Sequence, residues 1–253
     1  MRFFAILVLT LALPVAADPP RPSPLKNGSD FQGAEVRALE ADEFANPMAL
    51  WVERGKASWS REYYGRSCAD CHGDAAKSMK GVAARYPKYD AGAGQVIDLG
   101  RRINGCVVGG LGAPKLAWES DDLLGLEAYI ALQSRGMPLD VSIEGPAHAT
   151  WEAGRELYFK RIGQLDLACS GCHDASWGRT LLAETISQGH PTGWPAYRLE
   201  WQRPGSLQRR LRACFNGVRA AMPVFGSPDL VALELYLAWR AKGLPLEAPA
   251  VRR

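Results

Sequence analysis

The pentapeptide Cys68-Ala69-Asp70-Cys71-His72 recurs 101 residues later as Cys169-Ser170-Gly171-Cys172-His173. C-x-x-C-H is the attachment pattern for c-type haem: two thiols form thioethers to the porphyrin and the His ligates its iron. One match can arise by chance. Two, in similar surroundings, predict two covalent haems c held by Cys68, Cys71, Cys169 and Cys172, with His72 and His173 on the irons. A zinc site or disulfides are the bland alternatives. A small domain built this way must fold around the porphyrin, which supplies much of its apolar interior.

The similarity extends beyond the motifs. Trp51 and Gly55 precede the first; Trp151 and Gly154 precede the second at almost the same distance. After the motifs, Ser120, Leu123, Leu126, Glu127, Tyr129 and Ile130 match Ser227, Leu230, Leu233, Glu234, Tyr236 and Leu237. Arg135-Gly136-Met137-Pro138-Leu139 then matches Lys242-Gly243-Leu244-Pro245-Leu246. Ser120 and Ser227 read as helix N-caps, and Pro228 suits a first helical position. Leu123, Leu126 and Ile130 fall on one helical face, as do Leu230, Leu233 and Leu237. Opening helices are predicted at about Pro47 to Tyr63 and Thr150 to Lys160. Helix, haem motif, irregular middle and closing helix is the order of a class I cytochrome c domain. The expected fold is therefore mainly α: a tandem duplication with haem domains at residues 44–140 and 149–248. Asp140 to His148, with Gly145-Pro146, reads as the linker.

Residues 1–17 read as a secretory signal peptide, with Arg2 as the charged region, Phe3 to Leu13 apolar and Val15-Ala16-Ala17 before a cut. The apolar run is shorter than the roughly 20 residues of a membrane helix, and no later segment reads as a span. Haem c is attached outside the cytoplasm, so a periplasmic protein fits both signals. Residues 18–43 read as an extended arm, or a disordered tail, with four prolines in its first seven residues. The 30 basic and 27 acidic residues leave a formal charge of +3, no footprint for nucleic acid.

Each iron needs a distal ligand or an open site. Met222-Pro223 offers a methionine in the second unit, but the first has Gly112-Ala113-Pro114 there; Met79 and Met137 lie elsewhere, and the spare His148 and His190 do not match each other. What does match is Cys106 and Cys214, one per unit, after Arg101-Arg102 and Arg209-Arg210. A disulfide between them is open to an exported protein, but needs Cα atoms within about 7 Å. Thiolate ligation of both irons is the preferred reading, with Cys106 on the first and Cys214 on the second. Thiolate favours ferric iron and a low potential. From Arg198 to Arg219 six arginines face one acid, Glu200. If the segment is helical, Arg210 shares a face with Cys214, and its guanidinium suits a tetrahedral oxyanion such as a sulfonate. A solvated basic surface, or pairing with haem propionates, is the plainer account of the cluster.

With the two C-x-x-C-H units, the leader, a lone Cys in each unit and the arginine-rich run around Cys214, the chain resembles the SoxA family over nearly all of its length. The resemblance implies His/Cys ligation, with His72 and Cys106 on haem 1 and His173 and Cys214 on haem 2. It implies a persulfide on a catalytic Cys214, with Arg210 binding substrate. The implied reaction is that of an L-cysteine S-thiosulfotransferase, joining thiosulfate oxidatively to a cysteine of a SoxYZ-like carrier. A SoxX-like monohaem cytochrome c would be the stable partner, and a soluble cytochrome c the electron acceptor. The alternatives are a tetrathionate-forming thiosulfate dehydrogenase and a non-enzymatic dihaem electron carrier.

Overall fold

The computed structural model describes residues 21–42 and 44–253. The expected signal peptide at 1–17 and the first residues of the arm lie outside them. The described part of the arm is not uniformly extended. It forms a 3-10 turn, Gly28–Phe31, and a helix, α1 (Ala34–Ala41). The helix has a local cause: Ala-Glu-Val-Arg-Ala-Leu-Glu-Ala is dominated by strong helix formers. The arm lies across the second unit. Lys26 N donates to Gln188 Oε1 at 2.8 Å, Gln188 Nε2 donates to Pro24 O at 2.9 Å, and Glu40 pairs with Arg252.

The first unit runs α2 (Ala49–Ser60), α3 (Cys68–His72), α4 (Ala75–Ser78), a hairpin of β1 (Lys88–Asp90) and β2 (Gln95–Ile97), α5 (Leu99–Gly109) and α6 (Asp121–Leu132). In the second unit α7 (His148–Phe159) and α8 (Cys169–His173) lead to the short hairpin β3 (Thr180–Leu181) and β4 (Glu184–Thr185). Then come β5 (Ala196–Arg198), β6 (Arg203–Gly205), α9 (Leu207–Gly217) and α10 (Pro228–Arg240). A final strand, β7 (Ala250–Arg252), pairs parallel with β5, which pairs antiparallel with β6. The middle of each unit is thus less irregular than its sequence suggests, for a hairpin stands before each spare-cysteine helix.

Capping sets where these helices begin. Ser120 and Ser227 accept from the backbone amides of Leu123 and Leu230, and Asp98 and Ser206 do the same for α5 and α9. Opening and closing helices then cross at a glycine. A Cβ on Gly55 would sit 1.9 Å from Gly125 O, and one on Gly154 would sit 2.0 Å from Ala232 O. Only hydrogen fits there, so the backbones touch and the flanking aromatics interlock. Trp59, Leu123, Leu126 and Ile130 form one core. Trp151, Tyr158, Leu230, Leu233 and Tyr236 form the other.

The closing helices are more buried than a single apolar face requires. Val231, Ala232, Leu235 and Ala238 of α10 are buried along with the predicted face. The reason is the neighbouring unit: Val96, Ala131, Leu139 and Val141 pack into the same cluster as α10. The two Gly-x-Pro-Leu segments also bond to each other reciprocally. Gly136 N donates to Leu246 O at 2.8 Å while Gly243 N donates to Leu139 O at 2.9 Å. Leu139 N donates to Leu244 O, and Leu246 N to Met137 O, both at 2.8 Å.

Candidate haem and sulfur-transfer site

In the first unit the capping box of Ser67 and Asp70 starts the one-turn helix α3. Cys68, Cys71 and His72 line a cavity of about 500 Å³ that Cys106, carried by α5, also lines. Leu99, Ile103, Leu126 and Ile130 make its walls apolar. Two thiols and an imidazole beside an apolar slot fit a covalent haem, and Cys106 in the same cavity is a candidate second iron ligand. Trp59 braces the histidine side: its ring centroid is 5.7 Å from that of His72, and its Nε1 donates to Gly73 O at 3.0 Å. Met79 also lines this cavity. Its sequence position carries no signal of that, because only the turn after α4 brings it inward.

In the second unit α8 places His173 against the loop from Ser187 to His190. A carbonyl can only accept, so His173 Nδ1 donates to Ser187 O, at 2.8 Å, and Nε2 is left for iron. Gly189, at φ +73°, allows this approach; a Cβ there would stand 3.0 Å from the ring. Burial lowers the pKa of His173, which keeps the imidazole in the neutral, ligating form. Burial pushes the Cys169 thiol up to about 12, with Cys214 close enough to add to the effect. These residues also fit a covalent haem.

All six cysteines are free, so the structure does not contain the disulfide between Cys106 and Cys214. Met222 is 49% exposed, unlike an enclosed iron ligand. His190 is buried, and its Nδ1 donates to Lys26 O at 2.7 Å.

The arginine run does not act as one cluster. Arg198 pairs with Glu184 and Glu200 at 2.9 and 2.6 Å. Arg203 reaches Asp121 at 3.5 Å. Arg209 pairs with Glu119 at 3.9 Å and stacks 4.3 Å over Trp201. Arg212 donates to Pro223 O and lies 4.4 Å over Phe225. Arg212 is therefore held in place by two neutral partners. Arg210, half-buried and one turn before Cys214 on α9, has no ion-pair or hydrogen-bond partner for its side chain among the described residues. The matching Arg102 of the first unit is held by Asp90 and by the Tyr86 hydroxyl. Arg219, exposed after α9, also has no side-chain partner among the described residues, so the asymmetry between the units lies at the matched pair Arg102 and Arg210.

Residues 54–139 match the model of the SoxA/TsdA cytochrome c domain. The chain is 42% identical over 230 residues to the L-cysteine S-thiosulfotransferase subunit SoxA of Rhodovulum sulfidophilum, covering 90% of this chain and 80% of that protein. It is 44% identical over 226 residues to the same subunit of Pseudaminobacter salicylatoxidans, covering 88% and 79%. Among solved structures it resembles the crystal structure of SoxXA from P. pantotrophus, with a TM-score of 0.86 and 38% identity over 90% of this chain and 86% of that one. The chain belongs to the SoxA family.

Proposed function

We propose that this chain is an L-cysteine S-thiosulfotransferase subunit that joins thiosulfate to a carrier-protein cysteine at Cys214. The net step forms one S–S bond. Thiosulfate and a carrier thiol yield a carrier S-thiosulfonate, one proton and two electrons. Cys214 acts as a persulfide. Its outer sulfur bonds to the terminal sulfur of thiosulfate as two electrons leave. The carrier thiolate then attacks the sulfur that bears the sulfonate; that sulfur's bond to the persulfide breaks, and the Cys214 persulfide leaves regenerated. Arg210 neutralises and orients the sulfonate so that two anions can approach. Bound haem supplies the redox centre that takes up electrons one at a time.

Two haems c are attached through Cys68 and Cys71, and through Cys169 and Cys172. His72 and Cys106 ligate the first iron; His173 and Cys214 ligate the second. The haem domains span 44–140 and 149–248 and arose by tandem duplication, which the reciprocal bonds between residues 136–139 and 243–246 support. A SoxX-like monohaem cytochrome is the stable partner, with the 18–43 arm as a candidate contact. A SoxYZ-like carrier visits, and a soluble cytochrome c removes electrons. The protein works in the periplasm after loss of residues 1–17. Among the described residues no helix is long and apolar enough to cross a membrane.

The observation that carries this reading is the free Arg210 one turn from Cys214, opposite a tied Arg102 in the first unit. The test is turnover of thiosulfate with the carrier in Cys214→Ser and Cys106→Ser variants of the assembled complex. Loss with the first and much-retained turnover with the second is expected. An essential Cys106 with a dispensable Cys214 would reverse the assignment.

A further inference from the structure

Tyr158, Asp174 and Arg240 form a buried polar cluster that the sulfur chemistry does not use. Arg240 closes α10 and its side chain is 0% exposed. Its Nη2 donates to Asp174 Oδ1 at 2.6 Å, and the Tyr158 hydroxyl donates to the same oxygen at 2.9 Å. The guanidinium lies 4.5 Å over the Tyr158 ring, and its Nε and Nη1 have no partner among the described residues. Asp174 caps α8 directly after His173. Opening helix, closing helix and haem motif are thus joined at one carboxylate behind the iron-ligating histidine.

The first unit makes the corresponding connection without charge. Trp59 stands where Tyr158 does, and its Nε1 donates to the carbonyl of Gly73, the counterpart of Asp174. Gln133, the counterpart of Arg240, bonds back to its own helix, Nε2 to Tyr129 O at 2.8 Å. A neutral hydrogen bond therefore suffices to tie opening helix to motif in this architecture. A buried ion pair costs desolvation and is weak evidence for stability. What the second unit gains is a sealed positive charge. Asp174 is 29% exposed, so solvent offsets part of its charge, whereas the paired Arg240 is wholly buried.

We propose that Arg240 is a positioning residue of the second haem site that raises the reduction potential of the haem held by Cys169 and Cys172. This rests on the reading that the second unit carries that haem. The step affected is one-electron reduction of its iron by electrons released when the S–S bond forms; Arg240 neither gains nor loses a proton. A nearby cation disfavours the ferric state, which carries the additional positive charge, and a thiolate ligand favours it. Arg240 thus opposes the lowering that Cys214 imposes, and keeps the second site able to accept electrons. The first site has a thiolate candidate but no matching buried guanidinium.

The test is a redox titration of the assembled complex, with each haem followed by its own electron paramagnetic resonance signal. Arg240→Gln is expected to lower the potential of haem 2 and leave haem 1 in place. Arg240→Lys keeps the charge and should restore most of the shift. Asp174→Asn should move haem 2 upward. Tyr158→Phe preserves both charges and should move it least. An unmoved haem 2 in Arg240→Gln overturns the proposal, as does a Lys variant that falls as far as Gln. Should Arg240→Gln fail to fold, Asp174→Asn decides: no upward shift overturns it. The haem count of the wild-type chain by mass tests the underlying reading separately, since a single haem at Cys68 and Cys71 would refute that reading whatever the potentials.

Discussion

Glu127 and Glu234, each seven residues past the N-cap of its closing helix, line one cavity of about 100 Å³. Both are buried, and Glu234 Oε2 has no partner. Burial, then the Asp98 carboxyl, holds both glutamates well above the usual carboxylate range. Asp98 itself is raised by burial although it accepts from Arg101 N and Gln208 Nε2.

The sign of the pH effect follows from that elevation. A carboxyl whose folded pKa is raised contributes fully below its unfolded pKa, and the contribution is lost as pH rises through the folded value. Glu127→Gln or Glu234→Gln should therefore gain stability relative to the parent as pH rises from about 5 to about 8. Thermal melts across that range check this. A parent advantage that grows with pH would contradict it.

Gly55→Ala and Gly154→Ala should each destabilise the holoprotein. The added carbon meets backbone carbonyls rather than movable side chains, so the helices must separate. A cost of roughly 1–3 kcal/mol, or more, is expected for such overpacking. Denaturant titration of each variant measures it; unchanged midpoints would mean that the helix pairs do not cross so closely.

The mature chain, produced with a haem-attachment system, should weigh its polypeptide plus two haem groups. Replacing Cys68 and Cys71 should remove one, and replacing Cys169 and Cys172 the other. Intact-mass spectrometry decides it, and one haem in the parent would leave one of the two motifs without its proposed role.

Cys106→Met should alter one low-spin component of the oxidised spectrum, and Cys214→Met the other. Electron paramagnetic resonance reads axial ligands directly. Spectra indifferent to both substitutions would return Met79 and Met222 to consideration.

Arg210→Ala should weaken use of thiosulfate by roughly 2–4 kcal/mol in kcat/KM if the contact is a desolvated charge-assisted pair. Arg210→Lys should recover only part of this, because an ammonium lacks the planar fork. Steady-state kinetics at varied thiosulfate separates the two. Equal activity of Ala and parent would remove Arg210 from the site.

Much of this protein was legible in one dimension because its strongest signals are local. The C-x-x-C-H motifs, the capping serines 120 and 227, and the Leu123 and Leu230 faces each depend on residues within a turn or two of one another. So does the short reach from Arg210 to Cys214 along α9. The repeat also pointed to Gly55 and Gly154, although only the helix crossing explains why they are glycines. Three-dimensional packing decided the rest. Arg212 and Arg209 look as free as Arg210 along the chain, yet Pro223, Phe225, Glu119 and Trp201 claim them. Arg102 and Arg210 are matched in sequence but not in surroundings, because only the first unit folds an aspartate, Asp90, against its arginine. The bond of Arg240 to Asp174 and the shared cavity of Glu127 and Glu234 arise where separate segments meet, 66 and 107 residues apart. Local pattern selects helices and caps. The burial, pairing or freedom of a charged side chain is set by neighbours that only the closed fold supplies.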